Sequence, residues 1–227
     1  MKFECRSVSY TYDVLPVVDS LSLLFPEHGC SIIYGANGVG KSTLFDLLIG
    51  DRTPTDGTVY INGQSTKVMK MSQKRELRRK LGIVHQTHTF SPHYSVEEQI
   101  MIPLLVCGMK ERESRKRTMD ILSEYELSHL RSKFPSQVSE GEKRLLSLIR
   151  ATVFEPDFMI IDEPYKELDR ESLDVFFKIL SPYYTDNKGL IMFTHLKDTL
   201  VPQPSHVFEF TAGNLKAISK NSQGEIK

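Results

Sequence analysis

The chain has 227 residues, enough for one large domain or for a core domain with an inserted subdomain. Lysine and arginine total 29, as do aspartate and glutamate, so the formal net charge is zero and gives no support to general nucleic-acid or anionic-membrane binding. The three cysteines (Cys5, Cys30 and Cys107) are widely spaced, which favours reduced thiols over disulfides or a metal site.

The sequence predicts neither a membrane span nor a secretory leader. The longest apolar run, at 100–109, is too short to cross a bilayer and contains Pro103. The N-terminal segment MKFECRSVSYTYD lacks the long apolar core of a secretory signal. We therefore expect any role at a membrane to depend on a partner.

The N-terminal region carries two strand patterns. Between residues 3 and 25, and again over 58–62, apolar and polar residues alternate, which predicts a small antiparallel sheet. Between them, residues 30–34 predict a buried strand and residues 42–49 predict a helix that ends at Gly50.

The segment between this strand and helix, GANGVGKST at 35–43, fits the phosphate-loop pattern G-x-x-x-x-G-K-[ST]. Glycines let several backbone N–H groups converge on phosphate oxygens, and the helix N-terminus adds partial positive charge there. Lys41 is expected to neutralise the β- and γ-phosphates of a nucleoside triphosphate, and Ser42 to ligate Mg²⁺. The candidate nucleotide-binding residues of this loop are Gly35, Asn37, Gly38, Gly40, Lys41, Ser42 and Thr43.

The rest of the chain alternates helices and strands around a mostly helical insertion. This pattern predicts an α/β core that contains one phosphate loop. Ser95 and Glu98 form a capping-box pattern at the start of one helix of the insertion. The predicted elements are a helix at 72–80, a strand at 81–85, the helical insertion at 87–135, a helix from Ser139, a strand at 158–161, a helix after Leu168, a strand at 190–194 and a hairpin at 207–219.

Polar side chains stand at the ends of three predicted strands. After the apolar run at 158–161, Asp162 could orient Mg²⁺ and Glu163 could polarise an attacking water as general base. Alone, the two could be ordinary surface acids, but the phosphate loop in the same chain favours the catalytic interpretation. Gln86 could contact Mg²⁺ or water, and His195 could contact the γ-phosphate, although a lone residue of either type is more often structural.

The order of these motifs resembles that of the ATP-binding-cassette (ABC) ATPases over about residues 2–219. The resemblance implies a P-loop NTPase (RecA-like) core with an N-terminal antiparallel β-subdomain and an inserted helical subdomain. The motifs that carry it are the phosphate loop at 35–43, Gln86, a signature segment VSEGE at 138–142, the acids Asp162 and Glu163, a dimer-contact loop ELD at 167–169, His195, and Tyr12 where the family places a ring that stacks on adenine.

The resemblance also implies the division of the chain and the composition of its site. One nucleotide-binding domain is expected over 1–219, with 1–86 and 139–219 as catalytic core and 87–138 as helical subdomain. The polar composition of 220–227 separately predicts a disordered tail. ATP and Mg²⁺ are the implied cofactors, and hydrolysis to ADP and phosphate is the implied reaction. The implied roles are catalysis for Glu163, His195 and Gln86, metal binding for Ser42, Gln86 and Asp162, and nucleotide binding for Tyr12, the phosphate loop and, from a second copy of the chain, Ser139, Gly141 and Asp169.

The signature segment departs from the family pattern LSGGQ, because Glu140 replaces a glycine and Glu142 a glutamine. One interpretation is that Ser139 and Glu142 form a capping box at the start of a helix. The partial positive charge at that end of the helix stabilises both Glu140 and Glu142. Alternatively, two carboxylates beside a bound triphosphate weaken the contact from the second copy and slow turnover. Both interpretations remain open on the sequence alone.

The insertion resembles that of the FtsE/LolD-type group, which pairs with integral membrane subunits related to FtsX and MacB. The shared features include the LRR lead, the Pro92 and Tyr94 bend and the run IPLL at 102–105. Four apolar residues are candidates to line a groove for a helix of the membrane subunit, and packing within the helical subdomain is the alternative. They are Phe90, Tyr94, Ile100 and Met101.

These patterns favour a dimeric ATPase on the inner face of the cell membrane that drives a membrane partner, with no nucleic acid involved. One alternative is an FtsE-type signalling ATPase of cell division that controls a cell-wall hydrolase without transport. Another is a soluble ABC ATPase of iron–sulfur assembly, DNA repair or translation, although the chain lacks the long coiled coils of the repair type and the second cassette of the translation type.

Overall fold

A computed structural model of the chain describes residues 1–87, 89–165, 168–185, 188–195 and 204–218. The strands are β1 Phe3–Tyr12, β2 Leu15–Leu24, β3 Gly29–Tyr34, β4 Asp56–Ile61, β5 Gln64–Ser65, β6 Leu81–Val84, β7 Phe158–Asp162, β8 Gly189–Thr194, β9 His206–Thr211 and β10 Asn214–Ile218. The helices are α1 Lys41–Leu48, α2 Met71–Arg78, α3 Val96–Val106, α4 Glu111–Glu124, α5 Glu140–Thr152, α6 Arg170–Leu180 and α7 Pro182–Thr185, with 3₁₀ turns at Ser128–Leu130 and Pro135–Gln137.

The core is a six-stranded sheet in the order β10-β9-β3-β8-β7-β6. All neighbouring strands in it are parallel except the β9–β10 hairpin. Strands β7 and β8 are buried along their whole length, as expected for parallel strands covered on both faces. Tyr34 pairs with Thr194, and Asp162 with Phe193, so the carboxyl ends of β3, β7 and β8 meet at one edge. The predicted α/β core is confirmed.

A second, antiparallel sheet has the order β2-β1-β4-β5, as the N-terminal alternation predicted. Its inward-facing residues, including Phe3 and Val59, share one apolar cluster with Leu44 and Leu48 of α1 and with Phe193 of the core sheet. Helix α1 is therefore held by apolar contacts to both sheets, which anchors the loop in front of it.

Helix α3 packs against both α4 and α5, and residues of the three helices share a second apolar cluster. The predicted capping box is present, with the Ser95 backbone N–H donating to Glu98 Oε2 over 2.7 Å. Ile100 and Met101 are 0 % and 4 % exposed, which favours packing within this region for these two candidates, whereas Tyr94 is exposed. Phe90 and Ile100 also line one small cavity together with Pro135 and Val138. The exposed apolar side chains of α3 are Ile102, Leu105 and Val106.

Candidate active site

A cavity of about 580 Å³ lies where the carboxyl ends of the parallel strands meet the antiparallel sheet. Its walls come from the end of β1, the start of β2, the phosphate loop and the segments after β6, β7 and β8. The structure thus gathers ten of the sequence-predicted residues and adds Val17, which no motif marked. The lining residues are Tyr12, Val17, Asn37, Gly38, Gly40, Lys41, Ser42, Thr43, Gln86, Glu163 and His195.

The phosphate loop has the backbone that its glycines predicted. Gly38 and Gly40 have φ angles of 79° and 109°, in the left-handed region that glycine adopts at least cost. Gly40 is the N-cap of α1, so the free N–H groups of the first helical turn face the cavity side of the loop. Lys41 is only 6 % exposed, and its Nζ donates to the carbonyls of Gly35 (2.9 Å) and Ala36 (3.0 Å).

Asp162 lies beneath the loop and is joined to it by one hydrogen bond. Ser42 Oγ donates to Asp162 Oδ2 over 2.8 Å. Burial raises the pKa of the Asp162 carboxyl, and the charge of Glu163 acts in the same direction, while the bond from Ser42 opposes them. Asp162 Oδ1 is buried and accepts no hydrogen bond from the described part of the chain.

These oxygen atoms fit a hard divalent cation such as Mg²⁺. Within the described ranges, no group of three or more His, Cys, Asp or Glu side chains could hold a metal ion. Mg²⁺ is usually bound through one or two carboxylates together with substrate phosphates and water. Ser42, the unbonded oxygen of Asp162 and the amide of Gln86 beside the cavity suit that pattern.

Glu163 stands at the centre of the site. Its φ angle is 48°, a strained conformation for a residue with a side chain, and its N–H donates to the carbonyl of Phe193 over 2.9 Å. Its carboxylate contacts two other lining residues, with Oε1 3.7 Å from Lys41 Nζ and Oε2 2.7 Å from His195 Nδ1. The sequence placed Glu163 at a strand end but carried no signal for this backbone conformation.

Tyr12 is held at the rim of the cavity by Thr43 and by Arg52, a residue that sequence analysis did not select. Its hydroxyl lies 3.5 Å from Thr43 Oγ1, and its ring is 45 % exposed. The Arg52 guanidinium lies 5.4 Å from the Tyr12 ring and 5.6 Å from the Tyr10 ring, and it donates to Asp46 Oδ2 of α1 over 2.7 Å. Cation–π contacts of this kind orient aromatic rings.

The signature segment and the dimer-contact loop lie outside the cavity. Ser139, Gly141 and Asp169 are not among its lining residues. Ser139 caps α5, and its hydroxyl and N–H both donate to Glu142 Oε2, at 2.7 and 2.8 Å, so the predicted capping box is present. Asp169 caps α6 by accepting the N–H of Ser172 over 2.8 Å. Glu167, predicted in the same loop, lies outside the described residues, as does the tail at 220–227.

Glu140 and Glu142, the two acids of the signature segment, each lie beside a basic side chain. Glu140 forms an ion pair with Lys143, and Glu142 Oε1 lies 3.5 Å from His129 Nε2. Burial acts to raise the pKa of Glu142, but hydrogen bonds from Ser139 and His129 and the charge of Lys133 outweigh it, so that pKa lies below its usual value. Glu142 is therefore ionised at neutral pH.

The fold and the site together define a P-loop ATPase: a phosphate loop and two acids meet at the edge of a parallel sheet. The sequence profile of the family described as "ABC transporter" matches residues 18–166. The chain belongs to the ABC transporter family, and it is an ATP-binding ATPase that hydrolyses ATP to ADP and phosphate. Among the helices that the structure describes, none is long and apolar enough to cross a membrane.

Similar proteins include lipoprotein-releasing system ATP-binding proteins called LolD. The one from Xanthomonas campestris pv. campestris (strain 8004) is 31 % identical over 209 residues, covering 91 % of this chain and 87 % of its own length. The one from Xylella fastidiosa (strain Temecula1 / ATCC 700964) is 32 % identical over 205 residues, covering 89 % and 85 %.

Solved structures share the fold. The ATP-binding cassette MJ0796, solved as a dimer in a post-hydrolysis state bound to ADP and Pi, superposes with a TM-score of 0.85 at 24 % identity, over 94 % of this chain and 96 % of that one. The cbiO1 protein of Clostridium perfringens, part of the ABC transporter complex cbiONQ, superposes with a TM-score of 0.78 at 26 % identity, over 94 % and 86 %.

Proposed function

We propose that two copies of this chain close around ATP, with the cavity of one copy facing Ser139, Gly141 and Asp169 of the other. The position of these three residues supports this arrangement, because they lie outside the cavity that ten of the predicted site residues line. The exposed N-terminal ends of α5 and α6 would supply partial positive charge to the triphosphate. The domain then runs over 1–219, with the helical subdomain at 87–138 between the two parts of the catalytic core.

The roles of the lining residues follow from their contacts. Lys41 is buried beside its own loop and would neutralise the β- and γ-phosphates, assisted by the N–H groups of the phosphate loop. Ser42, Asp162 and Gln86 would hold Mg²⁺, which when bound offsets the negative charge of the phosphate oxygens. The exposed ring of Tyr12 would stack on adenine.

Glu163 is the proposed general base, and its contacts carry the proposal. The Glu163 carboxylate lies between the phosphate loop and the end of β8. It accepts a hydrogen bond from His195 and lies 3.7 Å from Lys41 Nζ. It can take a proton from water as that water attacks the γ-phosphate. His195 orients the carboxylate and would contact the γ-phosphate, and closure of the dimer would exclude bulk water.

We further propose that the dimer works on the inner face of a membrane and passes its motion to an integral membrane subunit. The similarity to LolD proteins supports a partner of the lipoprotein-release type, and FtsX- or MacB-like subunits belong to the same proposal. The exposed apolar side chains of α3 are available for such a contact. Signalling of the FtsE type, without transport, is the alternative.

Glu163→Gln tests the catalytic part of the proposal. The amide keeps the size of the side chain but cannot accept the proton, so turnover should fall by about 10²- to 10⁴-fold while ATP traps a dimer. Size-exclusion chromatography with light scattering, with and without ATP, measures the dimer. Full turnover in this variant would assign the base to another residue.

The trapped variant also identifies the partner. Purified from solubilised membranes with ATP, it should carry an integral membrane subunit. A lipoprotein-release permease would support transport, a four-span FtsX-like protein would support signalling, and absence of any membrane protein would contradict both.

A further inference from the structure

Arg144 is a charged side chain in the interior, in the second turn of α5, with 1 % of its surface exposed. Its guanidinium donates to three main-chain carbonyls. Nη1 donates to His85 over 2.8 Å, and Nη2 donates to Asp162 over 3.2 Å and, at closer range, to Glu163. One side chain therefore spans the ends of β6 and β7.

These three carbonyls belong to, or directly precede, two candidate catalytic residues. His85 directly precedes Gln86, and Glu163 holds its backbone at a φ angle of 48°. A main-chain carbonyl beyond the last paired residues of two strands has no hydrogen-bond donor in the neighbouring strand. When such a carbonyl is buried, a donor from elsewhere must take the place of the missing N–H group. A strained backbone persists only where its surroundings hold it in place.

We propose that Arg144 is the positioning residue for Glu163 and Gln86, and that it couples them to the helix that begins at the signature Ser139. A shift of α5 on dimer closure would then move the carbonyls of both segments together. The planar guanidinium suits this task, because its fixed fork of donors reaches two strand ends at once, whereas a lysine ammonium is a single point. The proposal rests on the proposed role of Glu163 as general base.

The test compares Arg144→Lys and Arg144→Gln with Leu148→Ala. Leu148 lies on the same helix and is fully buried, but it belongs to the apolar cluster and donates to none of these carbonyls. All variants are assayed for Kd of ATP, for kcat per nucleotide-binding site and for melting temperature. Counting turnover per binding site removes the contribution of unfolded protein.

We expect both Arg144 variants to lose about 10- to 100-fold in kcat, the effect of misplacing a reacting group by about 1 Å, with Kd for ATP near that of the unchanged protein. Leu148→Ala should lower the melting temperature and keep kcat per site. Unchanged kcat in Arg144→Lys and Arg144→Gln, or loss of ATP binding together with turnover in both, would overturn the proposal. Full activity of Glu163→Gln would instead overturn the role of the base, so the two failures are distinguishable.

Discussion

The carboxylate of Glu163 is shared between two neighbours, with Oε2 2.7 Å from His195 Nδ1 and Oε1 3.7 Å from Lys41 Nζ. His195 follows the last residue of β8, and Lys41 is the first residue of α1, so the contacts reach the acid from two different elements. A carboxylate held in this way has little freedom to rotate. Its orientation, and with it the proton transfer we assign to it, depends on both partners.

His195→Ala removes one of these two partners. We expect kcat to fall by about 10²-fold, the loss typical of a misplaced catalytic group, while Kd for ATP changes little because the phosphate loop is intact. Steady-state ATPase assays and titration with a fluorescent ATP analogue measure the two quantities. His93→Ala, a histidine outside the cavity, is the matched control. Equal activity in the two variants would remove His195 from the mechanism.

Lys41→Ala should weaken nucleotide binding. Hydrogen bonds to charged groups contribute about 1.5–3 kcal/mol, so Kd for ATP should rise by about 10- to 100-fold. Isothermal titration calorimetry gives the constant directly. Lys116→Ala removes an exposed lysine whose nearest acid, Asp120, is 4.0 Å away, and should leave Kd unchanged. Retention of wild-type affinity in Lys41→Ala contradicts the proposed phosphate contact.

The signature acids are tested by the double variant Glu140→Gly, Glu142→Gln. It should hydrolyse ATP about 2- to 10-fold faster, because in the proposed dimer two carboxylates near the triphosphate of the other copy each oppose binding by the small energies of exposed charges. The Glu142→Gln change keeps the helix cap, since the side-chain oxygen of a glutamine can still accept from Ser139. The same phosphate-release assay reports both rates.

A matched double variant is available on another helix. Glu111 and Glu113 occupy the first turn of α4, as Glu140 and Glu142 do in α5. Replacing Glu111 and Glu113 by glutamine should leave turnover unchanged. If the signature variant is no faster than this control, the acids serve only to cap the helix.

Asp162→Asn should stabilise the nucleotide-free protein while lowering its ATPase activity. Burial raises the pKa of Asp162, so between its ordinary and raised values the folded protein binds a proton that the unfolded chain releases, and stability falls as pH rises through that window. The asparagine variant should therefore melt at a higher temperature at neutral pH, and the difference should vanish in acid below the ordinary aspartate pKa. Melting curves over a pH series measure it.

Asp169→Asn is the control, because its effect on the melting temperature at neutral pH should be opposite to that of Asp162→Asn. Hydrogen bonds from Ser172 lower the pKa of Asp169, so its charge contributes stability above the ordinary pKa that is lost as pH falls through the lowered value. Removing this charge should not raise the melting temperature at neutral pH. A rise in both variants would attribute the effect to net charge rather than to burial.

Arg52→Met tests whether the Tyr12 ring must be braced. Loss of the contacts to the Tyr10 and Tyr12 rings should weaken ATP binding by about 3- to 10-fold, the range of exposed to partly buried cation–π contacts. Arg6→Met breaks a comparable contact in the same sheet, 4.4 Å from the Tyr60 ring, and should have no effect on Kd. Equal affinities in the two variants would contradict the bracing role.

The local parts of the site could be predicted because contiguous residues determine them. The spacing of Gly38, Gly40 and Lys41 specifies a loop that only glycine backbones adopt readily, and the S-x-x-E pattern specifies the caps at Ser95 and Ser139. The apolar run before Asp162 specified a buried strand, and the structure places that acid at its carboxyl end. In the two caps, residues three apart in the sequence provide both the donor and the acceptor of the hydrogen bond. In the loop and the strand, the residue types themselves determine the backbone conformation.

The remaining features depend on packing between distant segments. Helix α3 is apolar on most sides, so its sequence could not show that Ile100 faces the interior while Ile102 is exposed. The left-handed backbone of Glu163 is contacted at its carbonyl by the buried guanidinium of Arg144, which reaches it from α5. The sequence alone determined that this chain binds a nucleoside triphosphate, whereas the tertiary structure decided how the candidate catalytic acid Glu163 is held, because Glu163 takes its hydrogen bonds from elements far away in the chain.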